Sequence, residues 1–135
     1  MNKNKYLLMV SSIGVFLLLA AAAVSENFMK DWQGIQGNSK TSDGPIDLRL
    51  RQIVNPQLKV TDRCVTCHVG MASGEQITTD QKVGAAHKPV AHSPTEIGCT
   101  VCHGGQGQAT EKDDAHGNVH FWTEPMLPAK YAYAS

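Results

Sequence analysis

The chain has 135 residues, with twelve Lys and Arg balanced by twelve Asp and Glu, so its formal net charge is zero. That balance gives no electrostatic reason to bind nucleic acid. Apolar residues make up 41% and aromatics only 6%; beyond the N-terminal run they are scattered, too little periodic apolar sequence for the remaining ~110 residues to build an ordinary core.

Lys3 and Lys5 precede an apolar run from Tyr6 to Ser25, broken only by Ser11, Ser12 and Gly14. A secretory signal has an apolar stretch of about 7–15 residues, and a membrane-spanning helix needs about 20. The run has spanning length, which favours an uncleaved anchor, while Ala21-Ala22-Ala23 also suits the cleavage site of a signal peptide. In both readings the two lysines hold the N-terminus in the cytoplasm and the rest crosses. The expected location is therefore the cytoplasmic membrane, with a single span and the remaining domain facing the periplasm or cell exterior. Lys30 to Gly44 is polar and rich in Gly, Ser and Asn, which reads as a linker. The expected organisation is an anchor or signal at 1–25, a polar linker at 26–45 and one small domain at 46–135.

Within that domain Ile46, Leu48 and Leu50 alternate with Asp47 and Arg49, a strand-like period that is ambiguous at this length. Thr61-Asp62 reads as the start of a helical turn ended by Gly70. Ser93-Pro94-Thr95-Glu96 is a capping box with Pro at the first helical position, and Gly104-Gly105 ends the helix it opens. Thr110 to His116, closed by Gly117, is a third short helix.

Two of these helices carry the chemistry. Cys64-Val65-Thr66-Cys67-His68 and Cys99-Thr100-Val101-Cys102-His103 use all four cysteines, and the match continues into Val69-Gly70 and Gly104-Gly105 as a weak internal repeat. In a CxxCH unit the two thiols add across the vinyl groups of a haem, and the following His is the proximal iron ligand. A zinc ribbon also pairs CxxC units, but does not need His after each pair. A thioredoxin-like CxxC expects a βαβ context that is not visible here, and disulfides within the pairs would strain across so short a spacing. The reading is two covalently bound haem c groups, with Cys64, Cys67, Cys99 and Cys102 as attachment points and His68 and His103 as proximal ligands. Two porphyrins would supply apolar surface that the chain lacks. The expected fold is mainly α with much irregular loop and little sheet, organised around the haems, behind a single N-terminal transmembrane helix.

Each iron has a sixth position, and its ligand sets the potential: His opposite His gives a low potential, Met opposite His a higher one. Outside the motifs stand His87, His92, His116 and His120. His92 abuts the capping box and His116 sits in a closed helical turn, so these two are favoured as distal ligands. His87, stiffened by Pro89, is the contender, and His120 has no such frame. Met71 lies too near His68 to reach the opposite face of the same haem. Met126, framed by Pro125 and Pro128, is the thioether alternative, although packing against a haem edge suits it better.

The arrangement resembles the membrane-anchored multihaem c-type cytochromes of bacterial respiratory chains. The likeness runs from about Arg49 to Met126 through Arg51-Gln52-Ile53, Asp62-Arg63 with the first motif, His92-Ser93-Pro94, Gly98 with the second motif through Gly107, Ala115-His116-Gly117 and Glu124-Pro125-Met126-Leu127. The resemblance implies that the histidines matching His87, His92 and His116 ligate iron. Larger relatives continue into further CxxCH units, whereas this chain stops soon after Leu127, like a two-haem unit split from a longer wire.

The leading functional reading is electron transfer by a tethered carrier rather than an enzyme, taking electrons from a quinol-oxidising membrane complex and passing them to other c-type cytochromes. A haem enzyme of the dihaem peroxidase or reductase kind, which needs an open iron position, is one alternative. A structural haem subunit of a larger respiratory complex is the other. The spin state of each iron separates the carrier from the enzyme.

Overall fold

The structure is a computed structural model that describes residues 2–73, 77–78 and 82–132. The chain divides into two units, Met1–Lys30 and Asp31–Ser135.

The first unit is one helix, α1 (Lys3–Phe28), with no buried residue and a mean hydropathy of 2.6 over its most apolar stretch. Its 26 residues rise about 39 Å, more than the roughly 30 Å of a hydrocarbon layer. Two of its polar side chains bond to its own backbone: Ser11 Oγ donates to the Leu8 carbonyl and Asn27 Nδ2 to that of Ala23. The helix is thus long and apolar enough to cross a membrane, and outruns the expected Tyr6–Ser25 at both ends.

The second unit is small, mostly helical in short pieces, and rich in loops. It opens with α2 (Asp31–Gly37) and a hairpin of β1 (Lys40–Thr41) and β2 (Gly44–Pro45). Residues 31–45 of the stretch expected as a linker are therefore structured, and one side chain ties their helix down. Gln36 is fully buried; its Nε2 donates to the carbonyls of Arg49 (2.9 Å) and Thr66 (2.8 Å), and its Oε1 accepts the Arg49 N–H (2.9 Å). This amide ties α2 to two distant segments with every bond made, which is what a buried polar group requires.

The alternating stretch at Ile46–Leu50 carries no strand. Pairing falls further on, where β3 (Ile53–Asn55) and β4 (Val60–Asp62) form an antiparallel hairpin with Ile53 opposite Asp62. Asn55 Oδ1 accepts the Leu58 N–H in its turn (2.9 Å), the local bond that favours Asn at such positions. The first CxxCH follows on a single 3₁₀ turn, Cys64–Thr66, so Thr61-Asp62 ends a strand instead of starting a helix. Gly70 opens α3 (Gly70–Ser73) instead of ending a helix; a Cβ there would strike the Gly84 carbonyl, so glycine lets the two backbones meet.

The helix expected to run from the capping box through the second motif is two helices. α4 (Pro94–Ile97) stops at Gly98, whose φ of 90° breaks the spiral, and α5 (Thr100–His103) starts afresh. Ser93 Oγ bonds Thr95 Oγ1 (2.7 Å) and makes no cap bond. Gly104 does end α5, and α6 (Lys112–Ala115) closes at Gly117, φ 70°. A last helix, α7 (Ala129–Ala132), was not foreseen.

Among the described residues the buried apolar side chains are Ile53, Val65 and Val69; the other large buried ones, Gln36, Ser39, Asp62 and Thr66, are polar. Three buried aliphatic side chains are few for a unit of this size.

Candidate functional site

Both CxxCH turns are fixed by backbone bonds that leave the cysteines and the histidine on offer. In the first, the Cys67 and His68 N–H groups donate to the Cys64 carbonyl (3.2 and 2.9 Å), and the buried Thr66 hydroxyl clamps Arg51, donating to its carbonyl (2.6 Å) and accepting its N–H (3.0 Å). In the second, the Cys102 and His103 N–H groups donate to the Cys99 carbonyl (3.2 and 3.0 Å). Gly105, at φ 82°, then turns the chain so closely past Ala115 that a Cβ would lie 2.6 Å from its carbonyl oxygen.

One carboxylate joins the two motifs. Asp62, only 1% exposed, accepts the Thr100 N–H (2.8 Å) and the Thr100 hydroxyl (2.7 Å), capping the first turn of α5 from the end of β4. A carboxylate oxygen of Asp62 and the sulfurs of Cys64 and Cys99 all lie within 4.8 Å of one another. The two first cysteines of the two motifs therefore meet at one point.

The histidines pair across the motifs' open sides. The rings of His68 and His116 stand 6.3 Å apart between centres at an interplanar angle of 39°, and those of His87 and His103 stand 6.3 Å apart at 73°. Each pair joins one CxxCH histidine to one from outside the motifs. Two imidazoles bonded through nitrogen to a single metal, with bonds of about 2 Å and about 1 Å more from each nitrogen to its ring centre, stand roughly 6 Å apart. Each gap is therefore the width that one iron fills, and the donor set fits two haems.

His116 caps the C-terminus of α6, its N–H donating to the Lys112 carbonyl (3.0 Å). His87 is oriented by a 2.6 Å bond between Nδ1 and the Lys88 carbonyl. It lines a cavity of about 440 Å³ with Met71, Pro94 and His92. His92 is itself exposed and has no histidine ring against it among the described residues, and His120 is exposed too. Glu124–Leu127 is a strap: Gly105 N–H donates to the Glu124 carbonyl (3.1 Å), Met126 N–H to that of His116 (2.8 Å) and Leu127 N–H to that of His103 (2.6 Å). Met126 thus serves through its backbone, one residue of each histidine pair being held from the same short segment.

Burial chiefly, then the nearby His116 and His103, pushes His68 below the ordinary histidine range, which favours the neutral imidazole that an iron ligand must be. His68 Nδ1 is buried without a hydrogen-bond partner among the described residues. Burial also raises the Cys67 thiol to about 11, with Asp31, Cys64 and Glu111 adding to it. The hydrogen bond between the free thiols of Cys99 and Cys64 raises Cys99 and lowers Cys64, Cys99 being further raised by burial.

The sequence pattern singles out Glu124–Leu127 but gives no sign of Gln36 or of the bridging role of Asp62. The one sequence signal for Asp62 is its place two residues ahead of Cys64, where it ends β4 instead of starting a helix.

Residues 26–104 match the family model described as cytochrome c554 and c-prime. That stretch is more than half of the chain and holds both CxxCH units, and the chain belongs to this family. No curated protein matches the chain, and no solved structure does. The protein is a c-type cytochrome, a class whose haem is covalently bound. His116 and the strap lie beyond the matched residues.

Proposed function

We propose that this protein is a dihaem electron carrier anchored in the cytoplasmic membrane, with Cys64 and Cys67 holding one haem c and Cys99 and Cys102 the other. A haem iron supplies one-electron chemistry by alternating between its ferric and ferrous states. The observation that carries the reading is the pair of histidine gaps, each 6.3 Å wide and each containing one CxxCH histidine. On this reading His68 and His116 are the axial pair of the first haem, and His103 and His87 that of the second. His87 takes the distal place for which His92 was favoured, because Lys88 fixes its ring against His103 while His92 faces solvent. Filling both positions with histidine favours a carrier over a peroxidase or reductase, which needs an open one, and gives the low potentials suited to accepting electrons from quinol chemistry.

The scarcity of buried aliphatic side chains supports a fold organised around the haems, which supply the missing apolar surface. The length and hydropathy of α1 support an anchor, and Lys3 and Lys5 ahead of it support a haem domain outside the cytoplasm. The partners that suit this placement are a quinol-oxidising membrane complex as donor and another c-type cytochrome as acceptor.

Intact-mass measurement of the purified chain tests the assignment, followed by a redox titration of its visible spectrum. Two haem additions and two one-electron waves are expected. One haem addition, or a bound metal with no haem, would overturn it.

A further inference from the structure

The chain buries one carboxylate beside both attachment points, and the fold goes to some length to keep it there. Asp62 is 1% exposed, and both of its oxygens are engaged by Thr100. No Lys or Arg pairs with it among the described residues; the neighbouring Arg63 turns away, its guanidinium donating to the Gln108 carbonyl (3.0 Å). Two glycines make the room. A Cβ on Gly98 would lie 2.6 Å from Asp62 Oδ2, and a Cβ on Gly107 would run into Asp62 Oδ1. Each glycine leaves out a side chain where the carboxylate sits, so this position is built around the charge.

A buried, unneutralised anion is costly unless its hydrogen bonds compensate. A purely structural cap for α5 would need neither charge nor burial, since Ser, Thr or Asn on the surface serves equally. What sets Asp62 apart is its neighbours: the sulfurs of Cys64 and Cys99, which on the two-haem reading above are the thioether links of two different haems, with the carboxylate oxygen within 4.8 Å of both.

We propose that Asp62 is a positioning and potential-setting residue shared by the two haems: its bonds to Thr100 hold the two attachment points together, and its negative charge lowers both reduction potentials at once. A fixed negative charge favours the ferric state, which carries one more positive charge than the ferrous. Its effect is strong because the site is shielded from water and salt. The two irons are thereby biased in the same direction by one group, so both potentials move together when that group is changed.

The test is a redox titration of the full-length holoprotein and three variants, with haem content read by intact mass. Asp62→Asn keeps the shape and removes the charge. Both midpoints should rise, so that at fixed poise the reduced-to-oxidised ratio of each haem grows about tenfold, equivalent to about 59 mV for one electron. Thr100→Val keeps the charge but removes a hydrogen bond that partly neutralises it, and should lower the midpoints. Asp113→Asn removes an exposed carboxylate on α6 and should move neither. Opposite signs for the first two variants are the signature of the charge, because loss of structure alone moves both the same way. Midpoints that stay within a twofold change of ratio in Asp62→Asn, or that shift with the same sign in Thr100→Val, overturn the proposal. If Asp62→Asn loses haem, Thr100→Val decides: lowered midpoints support the proposal and unchanged ones overturn it. A single haem in the unaltered chain sinks the two-haem reading instead, which the mass shows separately.

Discussion

Replacing Gly98 by alanine should disrupt the junction between the two CxxCH turns, and two terms set the cost. The residue stands at φ 90° and ψ 164°, a backbone region open essentially to glycine alone, which costs an L-residue about 1–3 kcal/mol. The added methyl would lie 2.6 Å from both Asp62 Oδ2 and Val60 Cγ1, and overpacking of this kind costs about 1–3 kcal/mol. Neither neighbour yields easily, since Asp62 is pinned by Thr100 and Val60 by its strand pairing. The sum is about 2–6 kcal/mol. The assay is urea unfolding of the holoprotein followed at the Soret band, with the midpoint compared at unchanged slope. Gly34→Ala is the control, because it lies inside α2 with nothing within 4 Å of its Cβ and should be neutral or stabilising by up to about 1 kcal/mol. If Gly98→Ala unfolds at the same urea concentration as Gly34→Ala, the close packing of this joint is refuted.

Gln36→Leu strands the Arg49 N–H and the carbonyls of Arg49 and Thr66, and should cost about 2–4 kcal/mol by the same assay; an unchanged midpoint would return residues 31–37 to the status of a linker. His87→Ala and His116→Ala should each turn one haem high-spin with both haems still attached, while His92→Ala leaves both low-spin; a high-spin haem in His92→Ala alone would reverse the pairing proposed for His103. After a salt wash the intact chain should stay with the membrane fraction, and a mature N-terminus near Val24 would show that α1 is a cleaved signal.

What the sequence disclosed was whatever depends on near neighbours. The apolar run became α1 because twenty-odd apolar residues need no partner to be recognised, and Gly104 and Gly117 stop helices because their backbones alone take the required φ. The CxxCH units are local by construction. The features that stayed hidden depend on remote contacts. Gln36 looks like a surface amide until Arg49 and Thr66, far along the chain, enclose it. Asp62 looks like a helix start until Thr100 arrives on its carboxylate. The capping box at Ser93 suggested one helix through the second motif, but Gly98 is needed beside Asp62, and its φ splits the helix in two. The choice between His87 and His92 is of the same kind: both flank the second motif, and only the chain's path from Pro89 to Ser93 decides which ring meets His103.

The most direct test of two histidine-ligated haems is the low-temperature electron paramagnetic resonance spectrum of the fully oxidised chain, integrated against its iron content. The account requires two low-spin ferric signals of equal weight, and they should differ in shape because the paired imidazole planes are turned by 39° at one site and 73° at the other. A high-spin signal of one iron per chain, or a total of one iron, would contradict it.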